Sequence, residues 1–157
     1  MINRFQEFSV SIASLYRHIQ KIERAEMVKY GLKGSTAQYL TALRLHREGL
    51  TASQLCEVCD KDKAAISRVV ADLEEKGLVT REGRPEGSAA TNRIYRARLM
   101  LTPRGEAIAD HVLERATVAV EYAGRRLTEE NRRVFYESMA ILAHDLQIIS
   151  KEGLPED

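Results

Sequence analysis

Tryptophan is absent from these 157 residues, and phenylalanine and tyrosine together make up only 6%. A core built without large rings must be mainly aliphatic. Proline occurs three times, which leaves room for long unbroken helices because few positions lack the backbone donor. The two cysteines, Cys56 and Cys59, are spaced C-x-x-C, too few for a disulfide framework. No apolar run approaches the ~20 residues of a membrane span, and no signal-peptide pattern opens the chain. The expectation is therefore a cytoplasmic protein with no membrane partner.

Signatures of chemistry are missing as well. There is no GxSxG, no P-loop and no GxGxxG after a strand, so no enzyme and no cofactor are expected. Tyr30-Gly31-Leu32-Lys33-Gly34 reads as a helix-ending turn rather than a phosphate cradle. The pairs Glu74-Glu75 and Glu129-Glu130 fall on solvated helix surfaces or at a helix start, where negative charge suits the dipole. His18, His46, His111 and His144 are scattered without metal-ligand spacing. No metal site is expected, and His111, beside Asp110 and Glu114, is the first place to look for one.

Charge of one sign is also lacking overall, at a net +1, yet its distribution is uneven. Arg81 to Arg104 holds six arginines against two acids, a local +4 that leaves the remainder near −3. A basic patch in a neutral chain is the electrostatic footprint of a nucleic-acid binder, although solvated basic loops are also common.

What is present is mostly helical pattern. Phe5, Phe8, Ile12, Leu15, Ile19 and Ile22 recur at spacings of 3 and 4, a seam narrower than the stripe of a helix lying on a globular core. Phe135, Met139, Leu142, Leu146 and Ile149 form a second such seam near the other end. Each asks for a helical partner, not all of it from the same chain. Between them, Ser35-Thr36-Ala37-Gln38 and Thr51-Ala52-Ser53-Gln54 read as capping boxes, and Asp60 or Asp62 caps a further helix that Gly77 ends. The period then changes. Leu78–Arg81 reads as a strand, EGRPEGSAATN as a loop, and Ile94–Leu101 as a strand with one buried and one basic face. Thr102-Pro103 restarts a helix, and Leu127-Thr128-Glu129-Glu130 is a turn and cap for the last one.

The stretch KDKAAISRVVADLEEKGLV carries the functional reading. Ile66, Val70 and Leu73 mark its buried side, while Lys63, Ala64, Ser67, Arg68 and Ala71 give a small, basic outer face. Surface helices usually fill such positions with long side chains. A helix that must enter a major groove about 12 Å wide needs small, hydrogen-bonding or cationic residues there. Two helices joined by a short turn, the second bare in this way, make a helix-turn-helix, and the basic hairpin after it makes a wing. Lys61, Lys63, Ala64, Ser67 and Arg68 are the candidate DNA contacts on the helix. Arg81, Arg84, Arg93, Arg96 and Arg98 are those on the wing, placed to follow flanking phosphates or enter the minor groove.

The passage AAISRVVADLEEKGLV, the basic hairpin and the restart LTPRG together resemble the MarR family of bacterial transcriptional regulators, and the resemblance extends over nearly the whole chain. It implies a homodimer with intertwined N- and C-terminal helices and two DNA-reading lobes. One departure concerns the wing, where family members often carry D-x-R or D-R-R. Here Ala89–Arg96 lacks the acid but keeps Arg93 and Arg96, leaving the groove arginine open between them. The resemblance also implies a small-molecule effector between the dimer helices and the DNA lobe, with Tyr16, Tyr39 and His46 as candidate lining. Some family members sense oxidants through cysteine. For Cys56 and Cys59 the competing reading is a small buried hydrophobe on the core side of a helix.

The expected fold is thus mainly α: an N-terminal dimerisation helix and linker over 1–34, a winged helix-turn-helix lobe with a two-stranded β wing over 35–102, and C-terminal dimerisation helices over 103–157. The expected function is a homodimeric, sequence-specific regulator, a repressor relieved by ligand, bound to a pseudo-palindromic duplex operator. The alternatives are a winged-helix module for protein contacts and a cysteine-based redox-sensing regulator.

Overall fold

The first helix, α1 (Arg4–Val28), opens on Asn3, whose Oδ1 accepts from the Phe5 N–H at 3.1 Å. This computed structural model describes residues 3–82 and 97–155, which form two compact units, Met1–Thr117 and Val118–Asp157. The apolar seam of α1 is helical as expected but unburied within its own unit, with Phe5 73% and Leu15 51% exposed. Burial begins only at Glu26 and Met27. Gly31 (φ +68°) then turns the chain so that the Leu32 N–H returns to the Met27 carbonyl at 3.1 Å.

The capping box expected at Ser35–Gln38 does not form. Ser35, the expected cap, falls inside a 3₁₀ turn at Gly34–Thr36, and α2 is entered instead from Thr36, at helical dihedrals of −69° and −29°. An N-cap hydroxyl reaches back only from extended backbone, so α2 (Ala37–Leu45) starts without a side-chain cap. The box at Thr51 does form, with Thr51 Oγ1 accepting from the Gln54 N–H and Gln54 Oε1 from the Thr51 N–H. It opens α3 (Ala52–Cys59). Of the two aspartates proposed to cap the next helix, Asp60 closes α3 in the left-handed region (φ 49°) and Asp62 caps α4 (Lys63–Glu75), accepting from the Ala65 N–H at 2.7 Å. Gly77 (φ +67°) ends α4 as its sequence position predicts, and the Leu78 N–H closes on the Leu73 carbonyl at 2.9 Å.

Two antiparallel strands follow, β1 (Val79–Glu82) and β2 (Arg98–Leu101), with Val79 opposite Leu101 and Glu82 opposite Arg98. The sequence reading began β1 one residue earlier. It began β2 at Ile94, and its residues before Ala97 lie outside the described ones. Leu50 joins the pair through a bridge to Leu99. Helix α5 (Pro103–Ala123) restarts on Thr102, whose hydroxyl accepts from the Gly105 N–H and donates to the Gly77 carbonyl. Gly105 is required here because a Cβ would collide with the Leu78 carbonyl.

The core of the first unit draws on every one of these elements. Met27, Leu40, Leu55, Ile66, Leu73, Leu78, Leu99 and Val112 are its largest fully buried side chains, aliphatic as the scarcity of rings requires. Buried Ile108, Ala109 and Val112 place the first part of α5, through Thr117, in this unit.

The second unit takes the rest of α5, a 3₁₀ turn at Gly124–Arg126, and α6 (Glu129–Glu152), capped by Thr128. Arg132 knits it together, donating to Glu121 at 2.8 Å and to the Gly124 carbonyl at 3.1 Å. No residue of α6 is buried, and Phe135, Leu142 and Leu146 of its seam are exposed.

Candidate nucleic-acid interface

The bare face of α4 is real. Ile66, Val70 and Leu73 are each at most 2% exposed, whereas Lys63, Ala64, Ser67, Arg68 and Ala71 all face solvent. The amphipathic division follows from the spacing, since residues three and four apart share one side of a helix. Lys61 and the capping Asp62 stand exposed at its entrance. Beside it, Ser53 and Cys56 of α3, Lys63 and Ser67 of α4, and Arg81 of β1 line a shallow notch of about 40 Å³.

The wing arginines do not form one set. Arg81 is half-buried, its Nε and Nη2 gripping the Glu74 carboxylate at 2.7 and 3.2 Å. Arg98 Nη1 donates to the Glu48 and Gly49 carbonyls at 3.2 and 3.0 Å. Both side chains are engaged at the root of the hairpin. Arg84, Arg93 and Arg96 lie outside the described residues.

The three candidate effector-lining residues are employed differently. Tyr39 belongs to the core at 4% exposure, where burial pushes its phenol up, with the charges of Cys59 and Asp62 adding to the effect. His46 closes α2, with Nδ1 2.8 Å from the Ala42 carbonyl. Tyr16 is exposed on α1. Cys56 and Cys59 are half-buried and pack against the core as free thiols. Burial raises the Cys59 thiol above its ordinary value, with Lys61 pulling only partly the other way, which opposes thiolate formation.

Asp110 and His111 do not pair with each other for metal. Asp110 takes a two-pronged contact from Arg44 at 2.6 and 3.1 Å, and His111 Nε2 sits 2.8 Å from Glu26 Oε2. Among the described residues no group of three or more His, Cys, Asp or Glu side chains is placed to hold a metal.

Sequence reasoning missed the surroundings of Glu26. This buried carboxylate accepts from Lys29 Nζ at 2.8 and 2.9 Å, faces His111, and has Arg115 Nε 3.8 Å away. The hydrogen bond from Lys29, and then that from His111, hold it below the usual carboxylate range despite burial. A signal was available. Position 26 continues the 3-and-4 spacing of the α1 seam after Ile22, so an acid there is a charge on the apolar side.

Residues 30–88 match the model of the MarR family. Solved MarR-family structures share the architecture along nearly all of it. A regulator from Silicibacter pomeroyi aligns at 21% identity over 93% of this chain and 90% of that one, with a TM-score of 0.65. A MarR family protein from Bacillus stearothermophilus aligns at 19% identity over 94% and 99%, with a TM-score of 0.75. A MarR-family protein from Listeria monocytogenes, solved with a 26mer DNA, aligns at 17% identity over the full length of both, with a TM-score of 0.70. No curated protein matches the sequence. The mainly helical MarR fold with its small hairpin wing is therefore the fold of this chain. None of its described helices is long and apolar enough to cross a membrane.

Proposed function

We propose that this chain is a non-catalytic, homodimeric DNA-binding transcriptional regulator, with α4 as its reading helix and the hairpin as a wing on flanking phosphates. The observation that carries the reading is the outer face of α4. Over two turns it presents Ala64, Ser67, Arg68 and Ala71 to solvent while its opposite side anchors the core. A helix built that way approaches a groove closely, and Arg68 is long enough to reach a base edge or phosphate. The similar protein solved with a 26mer DNA supports the same class of partner.

Dimer formation rests on the two unburied seams of α1 and α6, each exposing large apolar side chains. A twofold dimer reads a pseudo-palindromic operator with half-site centres about 10 bp or a multiple apart. The repressor relieved by a small effector is the regulatory form that the family resemblance implies. Tyr16, at the exposed side of α1, is the member of the predicted lining left open to such a ligand.

The test is selection of bound sequences from a random duplex library, followed by titration at several salt concentrations. A palindromic consensus bound with a steep salt dependence is the expected result. Binding that ignores salt, or no enrichment, would instead favour a winged-helix module for protein partners.

A further inference from the structure

We propose that Arg98 is a positioning residue of the wing, acting through the corner between α2 and α3 and not through DNA. The proposal rests on the DNA-binding reading, since a wing needs aiming only if it has phosphates to meet. Arg98 is the first residue of β2, directly after the segment that carries Arg93 and Arg96. Its Nη1 donates to two consecutive carbonyls, Glu48 at 3.2 Å and Gly49 at 3.0 Å. The next residue, Leu99, exchanges both backbone bonds with Leu50, at 2.8 and 3.2 Å. Consecutive residues of β2 are thus stitched to consecutive residues of the corner, first by a side chain and then by the backbone.

The corner is shaped to receive the strand. Gly49 has φ +80°, and a Cβ there would collide with Met100 Sδ and approach the Leu99 carbonyl to 3.0 Å and Arg98 Cβ to 3.1 Å. Backbone and β2 meet so closely that only glycine fits. Without Arg98, this end of β2 would keep its backbone bridge at Leu50–Leu99 but lose its side-chain hold on the corner. A guanidinium turned onto two main-chain carbonyls gives β2 a second, side-chain anchor and fixes the direction in which the hairpin leaves the lobe. The corner leads through Thr51 into α3, so the wing and the helix-turn-helix share one rigid joint.

Positioning and direct contact separate by amide exchange in the free protein, read beside affinity and salt dependence. The probe is a duplex recovered by selection with the wild-type chain, and the variant is Arg98→Ala in the full-length protein. Positioning predicts an affinity loss of about tenfold, as for a lost charged hydrogen bond, together with a lower log–log salt slope, because a misaimed wing gives up its flanking phosphates. Amide exchange at Leu50 and Leu99 should quicken in the free protein. On a duplex trimmed of the flanking base pairs, variant and wild type should bind alike, whereas a general folding defect would weaken both. A slope reduced by roughly 0.9 with unaltered exchange would make Arg98 a phosphate contact and overturn the proposal. Faster exchange with unchanged affinity would overturn it too, because the joint would then not aim the wing. A wild-type chain that shows no salt-dependent duplex binding removes the DNA reading itself, and the positioning role with it.

Discussion

His111 Nε2 lies 2.8 Å from Glu26 Oε2, joining two residues 85 positions apart, on α5 and α1. The adjacent Asp110 holds Arg44 of α2. Neighbouring residues of one helix thus tie α5 to two others through side-chain contacts with carboxylates, and one of those carboxylates is buried. Breaking a buried charge cluster by removing one partner costs more than its net contribution, because the other charge is left uncompensated.

This arrangement sets an acid limb. Hydrogen bonds from Lys29 and His111 lower Glu26, and Arg44 lowers Asp110. Carboxyls depressed in the folded state contribute stability that is complete above their unfolded values and lost as pH falls through the folded ones. Melting temperature should therefore drop as the pH is lowered below the ordinary carboxylate range. Glu26→Gln should be less stable than wild type at neutral pH and show a shallower acid decline. Parallel pH profiles for the two proteins would mean that the ionised form of Glu26 contributes nothing.

The unburied seams predict association. Phe5 and Leu15 on α1, and separately Phe135, Leu142 and Leu146 on α6, are exposed in the single chain, and apolar rows of that length ordinarily mark an interaction surface. Sedimentation at micromolar concentration should give about twice the 17.7 kDa chain mass. Leu15→Glu and Leu146→Glu should each shift the population toward monomer. A wild-type chain that stays monomeric and folded would leave the seams without a partner of its own kind.

Local signals were legible in the sequence, and long-range ones were not. The division of α4 into a core side and a bare side followed from residue spacing, and Gly77, Thr51 and Thr102-Pro103 marked boundaries through chemistry confined to a few residues. Ser35–Gln38 shows how such a signal fails. It has the Ser/Thr-x-x-Gln pattern of the Thr51 box, but Ser35 falls inside the 3₁₀ turn at Gly34–Thr36, and Thr36, from which α2 starts, already has helical dihedrals. Arg98 illustrates the harder case. Its alternation pattern placed it correctly on the outer side of β2, yet its acceptors, Glu48 and Gly49, are 50 and 49 residues away. Periodicity says which face a side chain leaves from, not which backbone meets it.

Gly105 offers a test of packing where space, not conformation, is decisive. Its position in α5 abuts the Leu78 carbonyl, and Leu101 Cδ2 would lie 3.2 Å from an added Cβ. Backbone cannot retreat as a flexible side chain can. Gly105→Ala gains helix propensity but must push α5 from the β1–β2 layer, and overpacking of this kind costs about 1–3 kcal/mol. Urea unfolding should show a lower midpoint with an unchanged slope. A midpoint equal to or above that of wild type would show that the α5 contact relaxes freely.

The bare face of α4 makes the sharpest claim about reading. Arg68 projects from the solvent side one turn beyond Ala64, beside Ser67, where a groove-bound helix presents its base-reaching residues. Lys63 stands at the helix entrance, beside the capping Asp62, where a cation meets phosphate. A base contact is worth most on the right base and nothing on the wrong one, while a phosphate contact is indifferent to sequence. Arg68→Ala should therefore cost on the order of 1–3 kcal/mol on the preferred operator and relax preference at one base pair per half-site. Lys63→Ala should weaken good and poor operators by the same factor and lower the salt slope by roughly 0.9. Both follow from titrating each variant against a panel of single-base operator changes at two salt concentrations. If Arg68→Ala instead lowers every operator equally and takes the salt slope down with it, Arg68 clamps phosphate, and base reading falls to Ser67 and the small residues around it.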